Sequence, residues 1–236
     1  MRTLYFSLLA VFLMVPGALG DGLFYRLPED GTYALFNLEW KSGKEGYQGS
    51  LTMSSVGQAT IKGNKCRWIE LKWVIETDDM GDVTEVEKLL IPEKYLKAGV
   101  NPLQYVVKGW SKSRGGFVDP RKDFTGKGKE YLKWLPPLLS GPLQNVKKLK
   151  NETLETPLGK LSCPGITGSK RYEVGFGNKI HATFENRLND MAPFGLVNCK
   201  MTWKVEANGR LSPLTTMTFR LVKVGKGAES ELPDQK

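Results

Sequence analysis

The chain of 236 residues has one histidine, His181, and three cysteines, Cys66, Cys163 and Cys199. A lone histidine excludes the usual multi-histidine zinc sites, and the cysteine spacings match no zinc pattern. His181 lies on the polar side of an alternating segment and reads as a solvent-facing strand residue. Nothing near it in sequence supplies a nucleophile and an orienting group, as a histidine triad requires. The stretch Gly126-Lys127-Gly128-Lys129 lacks the upstream glycine and the Ser/Thr of a phosphate-binding loop. Asp78, Asp79 and Asp82 lack calcium-loop spacing and read as an acidic hairpin turn. There is no internal repeat or low-complexity tract. No catalytic residue, metal site or cofactor is assigned, and the sequence reads as a non-enzyme. Carboxylates paired only by folding are the one catalytic route left open.

After residue 20 no run approaches the ~20 apolar residues of a membrane-spanning helix, so the mature chain is expected to have none. What precedes it is an export signal. Arg2 is followed by the apolar run Leu8–Leu19, and small residues Ala18 and Gly20 flank Leu19, as at a signal-peptidase site. Asp21 stands where a lipid-anchored protein would have cysteine. The expected product is a soluble exported protein, periplasmic or extracellular, with residues 1–20 removed. Residues 21–224 form one β-rich domain with an insertion over about 91–149, and a disordered tail covers 225–236.

The formal charge of +9 is concentrated in the middle. Residues 108–171 hold 14 basic and 5 acidic side chains, so the rest of the mature chain is close to neutral. Such a segment is either a solvated lysine-rich surface or an attractor of polyanions and lipid headgroups. Export argues against nucleic acid as the partner. Asn151-Glu152-Thr153 is a glycosylation sequon by pattern alone.

Alternation with period two marks the strands. Ala34, Phe36, Leu38 and Trp40 share a face, as do Ile69, Leu71, Trp73 and Ile75, with Glu70, Lys72 and Glu76 opposite. In the last third, Ile180, Ala182 and Phe184 form one apolar face; Cys199, Met201, Trp203 and Val205 another; and Thr215, Met217, Phe219 and Leu221 a third. Asn208-Gly209 favours a tight hairpin. A simple two-residue turn there would set Met217 against Lys200, so a bulge near Ser212-Pro213 is expected.

Between these strand sets, helix signals appear. Pro92 and Gly99 bracket PEKYLKAG; Asn101 and Pro102 resemble an N-cap and first turn; Leu103, Val106, Val107 and Trp110 fall at helical spacing. KEYLKWL and PLQNVKKL read as further short helices. The proline-broken WLPPLLSGPL, residues 134–143, lies between Lys127, Lys129 and Lys133 and Lys147, Lys148 and Lys150. It is either an exposed membrane-touching tip or a buried cover for one end of the sheet. The fold class expected is α+β: a curved antiparallel sheet, an incomplete barrel, covered by a few short helices from the central insertion.

Cys163 and Cys199 fall on apolar strand faces, either as a disulfide or as two buried thiols. Cys66 lies opposite Ile69 and Leu71 and is expected to be free.

ETPLGKLSC followed by NDMAPFGLVNCKM, together with KCRWIELKW leading into VEKLLIPEKYLKAGVNPLQ, resembles exported bacterial lipoprotein carriers of the LolA/LolB class. The resemblance spans residues 32–205. It implies an incomplete β-barrel closed by helices, with a concavity for acyl chains. Inward-facing positions then become ligand-lining candidates: Phe36, Leu38, Trp40, Ile69, Leu71, Trp73, Phe184, Met201, Trp203 and Phe219. The alternative for each is plain core. Two functions follow: a carrier for a lipid or other apolar ligand, or a basic domain that binds an anionic cell-envelope polymer or protein partner.

Overall fold

The computed structural model describes residues 23–76, 82–113, 116–118, 142–174 and 178–232. The export signal, Asp78 and Asp79, the Gly126–Lys129 stretch, KEYLKWL and residues 134–141 lie outside them.

The described chain is almost entirely antiparallel sheet. Its strands are β1 (Thr32–Ser42), β2 (Glu45–Ile61), β3 (Asn64–Ile75), β4 (Val83–Pro92), β5 (Lys108–Ser113), β6 (Gly116–Val118), β7 (Gln144–Thr156), β8 (Gly159–Val174), β9 (Asn178–Leu188), β10 (Leu196–Ala207), β11 (Arg210–Leu211) and β12 (Thr215–Lys226). The order across the sheet is β6-β5-β4-β3-β2-β1-β12-β10-β9-β8-β7, with β11 added to β10. Two meanders, each built of sequential hairpins, therefore meet where the first strand pairs with the last. No ladder joins the outer strands β6 and β7 among the described residues.

The sheet curls on itself. Trp73 on β3 meets Phe219 on β12 edge-on, with ring centroids 6.0 Å apart. A flat sheet would hold these strands, three places apart, at ~14 Å. The curl encloses one apolar interior, lined from both meanders by the residues that alternate inward. Phe36, Leu51, Met53, Ile69 and Leu71 come from the first, and Phe184, Met201 and Phe219 from the second.

The expected α+β class is corrected here. Among the described residues the only helical pieces are single 3-10 turns, Glu93–Tyr95 and Pro102–Tyr105. Gly99 and Pro102 cut this stretch into pieces too short to nucleate an α-helix. The cap itself forms: Asn101 accepts a hydrogen bond from Leu103 N. The helical spacing through Trp110 is coincidental, because Lys108–Ser113 is instead captured as β5 by β4. PLQNVKKL likewise joins β7, paired to β8, since pairing outweighs weak local propensity. Among the described residues, loops and 3-10 turns rather than α-helices pack over the interior. Leu23, Phe24, Leu96, Leu103, Leu143, Ala192 and Phe194 are buried in it, with Phe24 edge-on to Phe194 at 5.9 Å.

The hairpin register is resolved as expected. Asn208 and Gly209 take positive φ of 51° and 74°, the backbone of a type I′ turn. Ser212-Pro213-Leu214 then leaves the ladder before β12 begins, and Met217 pairs with Met201 rather than Lys200. Ser212 holds the departure point: its N–H donates to Val205 O at 2.8 Å, and its hydroxyl accepts from Val205 N at 2.9 Å.

Residues 225–232 lie against the sheet. β12 runs to Lys226. Ala228 N then donates to Gly31 O at 2.9 Å, and Leu232 is buried. The outer face of β3 is correspondingly drier than alternation suggests, with Glu70 only 4% exposed.

Candidate binding surfaces

The ten inward candidates converge as the alternation requires, but on one another. Phe36, Leu38, Ile69, Leu71, Trp73, Phe184, Met201 and Phe219 are buried, none more than 7% exposed. Trp40 and Trp203 pack against the same cluster from its margin, and Trp40 stacks on Tyr47 at 5.1 Å. These side chains belong to one buried apolar cluster.

Two ionisable residues interrupt that interior, and both are visible in hindsight as breaks in an apolar alternation. Arg67 occupies the phase of Ile69, Leu71 and Trp73. Its guanidinium makes four hydrogen bonds: Nη2 and Nε donate to Glu93 Oε1 at 2.8 and 3.2 Å, and Nη1 donates to Pro28 O at 2.9 Å and Ser55 Oγ at 3.0 Å. Asp30 stands 3.9 Å away and accepts from Gly57 N at 2.8 Å, pinning a bulge in β2. The cluster ties the segment before β1 to β2, β3 and the first 3-10 turn.

Glu87 occupies the phase of Leu89 and Ile91. It sits opposite Leu71 and Ser111 in the ladder, and its Oε2 is buried with no hydrogen-bond partner. Burial pushes its carboxyl up to about 8, with a smaller push from Glu85. Burial of this kind favours the neutral form of a carboxyl.

Two grooves lie on the outer face of the second meander, the first reaching across the seam onto β1. The first, about 380 Å³, is walled by Glu39 and Lys41 of β1, Thr218 and Arg220 of β12, Lys200 of β10, Glu185 and Arg187 of β9, and Glu152 of β7. Strand alternation puts these in cross-strand rows: Thr218, Lys200 and Glu185 pair directly across β12, β10 and β9. Arg187 pairs with Glu152 at 3.0 Å, and Arg220 approaches Glu39 at 3.7 Å. The second, about 530 Å³, runs between His181 and the β10–β12 connection, lined by Trp203, Glu206, Leu211 and Leu214. His181 Nε2 lies 2.9 Å from Glu206 Oε2, and Arg171 Nη2 lies 3.4 Å from the same oxygen. The bond to His181, with the positive charges around it, holds the Glu206 carboxyl below its ordinary range. His181 is thus on the polar face, as alternation indicates, and its partner comes from a neighbouring strand.

All three cysteines are free and buried. Cys163 on β8 and Cys199 on β10 are separated by the whole of β9. Two strand spacings, ~9.6 Å, exceed the ~7 Å limit for bridging Cα atoms. The disulfide alternative is therefore set aside for two thiols. Burial raises both thiol pKa values and leaves the groups unreactive. No group of three His, Cys, Asp or Glu side chains suited to a metal occurs among the described residues, and no described helix is long and apolar enough to cross a membrane.

No protein-family model and no curated protein matches the chain. Solved structures do align with it. A Bacteroides fragilis protein described as exported, with a YmcC-like fold, covers 86% of this chain and 100% of its own at 10% identity, with a TM-score of 0.39. A Parabacteroides distasonis protein described as a lipoprotein covers 87% and 100% at 11% identity, with a TM-score of 0.38. A β-barrel-like protein from Brucella abortus, of a domain class of unknown function, covers 85% and 98% at 10% identity, with a TM-score of 0.26. Likeness at this level carries no assignment of ligand, partner or reaction.

Proposed function

We propose that the chain is an exported, non-catalytic binding protein that meets a hydrophilic, anionic component of the cell envelope on the outer face of its second meander. The observation behind this reading is the division of labour between the two faces. The inward aromatic and aliphatic side chains are consumed by packing against one another. The outer face presents the charged and hydroxyl-bearing rows around Lys41, Lys200, Arg187 and Arg220. A carrier for lipid or another apolar ligand, which the LolA/LolB resemblance implies, needs an unfilled apolar concavity; the burial of eight of its ten candidate positions against one another favours the outer face instead. That resemblance is carried by turn and strand residues, and shared architecture leaves function open.

The test compares retention of the wild-type protein and of the pair Lys41→Glu, Lys200→Glu on immobilised envelope polysaccharide from the native host. Retention of the wild type should fall as salt is raised, because exposed charges are screened with a Debye length of ~10 Å at 0.1 M, and the paired variant should pass through unretained. Salt-independent retention, or equal retention of both proteins, sinks the outer-face reading. Co-purified acyl lipid in native mass spectrometry, released by Phe219→Ala, restores the carrier in its place.

A further inference from the structure

On the first meander, strand alternation brings Glu70 and Lys88 into direct register on the outer face, with Trp110 beyond Lys88. Both charged residues are buried, Lys88 at 0% exposure and Glu70 at 4%. What covers them is the end of the chain itself, which leaves β12 and crosses β2, β3 and β4. The Ser230 hydroxyl donates to Glu70 Oε2 at 2.6 Å, and Glu231 N donates to Glu70 Oε1 at 3.1 Å. Lys72 pairs with the Glu231 carboxylate at 2.7 Å. Lys88 Nζ donates to Leu232 O at 3.3 Å and lies over the Trp68 ring at 5.1 Å. The Leu232 side chain enters a slot made by Val86, Trp110 and Trp68, separate from the main interior.

Each element of this segment is read by a dedicated group. A carboxylate takes the hydroxyl and the next amide, an ammonium takes the acid, a second ammonium takes a backbone carbonyl, and an apolar slot takes the leucine. Burying two charges is costly unless the geometry is good and the remaining valences are filled, so a merely structural tail has simpler solutions. The segment also leaves room beside it. A groove of about 380 Å³ continues from Glu70 and Lys72 onto the hydroxyls of Ser50, Thr52 and Ser54, bordered by Ala228, Glu229 and Glu231.

We propose that the outer face of β3–β5 is a peptide-recognition site, held closed in cis by residues 228–232. Its ligand in trans is an acidic segment of a partner protein carrying the same hydroxyl–acid–leucine order. This site is independent of the outer face of the second meander. A partner gains access when the tail lifts, and until then the tail competes as an intramolecular ligand.

The test uses the full chain with Leu232→Asp, which places a charge where the apolar slot requires leucine, and a fluorescein-labelled peptide of residues 226–232. The variant should bind the peptide at least ~10-fold more tightly than wild type, because the tethered competitor is removed. Adding Glu70→Ala to the variant, or changing the peptide's leucine to alanine, should abolish the signal. Absence of peptide binding to a folded variant, or equal binding to variant and wild type, overturns the proposal. Hydrogen exchange on the wild type supplies a readout that needs no variant. The Glu231 and Leu232 amides should exchange at least ~100-fold faster than the Leu71 amide, reporting local opening. Equal protection would mean that the tail never lifts and the site is purely structural.

Discussion

Replacing Glu87 with glutamine should make the protein more stable, and only above mildly acidic pH. The carboxyl shares a face with Leu71 and Leu89, its Oε2 has no partner, and only 7% of the residue is exposed. Its pKa is raised from the ordinary 4.5 to about 8 in the folded protein. Between those values the unfolded chain releases the proton while the folded protein keeps it. Stability therefore falls as pH rises from about 4.5 to about 8 and is level beyond, where both states are ionised. At 1.36 kcal/mol per unit the accumulated cost is roughly 4–5 kcal/mol at pH 9 and about 3 kcal/mol at pH 7. The glutamine side chain keeps the shape and cannot ionise, so Glu87→Gln should be neutral near pH 4 and stabilising by those amounts at higher pH. With a urea slope of ~2 kcal/mol per M, the midpoint at pH 9 should rise by about 2 M. Glu85→Gln is the control: Glu85 is exposed and contributes only the lesser push, so its effect should be a small fraction of that. A pH-independent change in Glu87→Gln, or destabilisation at every pH, would refute the placement of an unpaired carboxyl in the interior.

Arg67→Ala should destabilise by about 3–5 kcal/mol in urea melts, since it removes the partner of Glu93 and the bonds to Pro28 and Ser55 at a buried position; a loss below ~1 kcal/mol would contradict that network. Gly49→Ala should lower stability by about 1–3 kcal/mol, because a Cβ there would meet Val74 O at 2.1 Å, and an unchanged melting temperature would disprove the close approach of β2 to β3. Phe219→Ala should cost about 3–5 kcal/mol because the ring is core, packed against Trp73; an intact fold with little loss would point to a ligand pocket. Thiol titration at pH 8 should find Cys66, Cys163 and Cys199 all unreactive in the native protein and all reactive in urea, and rapid native labelling of any one would show that it is exposed.

Much of the sheet was legible because each strand reports its own faces. The alternation of Phe36, Leu38 and Trp40, or of Ile69, Leu71 and Trp73, depends only on the two-residue repeat of extended chain and holds wherever the strand is placed. The Asn208-Gly209 turn and the bulge after it were equally local, because the apolar faces of β10 and β12 allow only one register. The middle of the chain was misread for a related reason. Leu103 to Trp110 has helical spacing over too short a span, and β4 offered it a ladder that no local pattern announces. Arg67 and Glu87 stand as charged residues in an apolar phase, seen as such only in hindsight, and whether each found a partner depended on chain distant in sequence. Pro28 and Glu93 serve the first, and no described group reaches Oε2 of the second. The sequence by itself determined the strands outside the middle of the chain, their inward faces and the turn that reverses β10. Only the tertiary structure decided that the inward residues of the two meanders meet, that β9 keeps Cys163 from Cys199, and that residues 228–232 lie across Glu70 and Lys88. Each of these is a contact between segments far apart along the chain, made only once the sheet has bent.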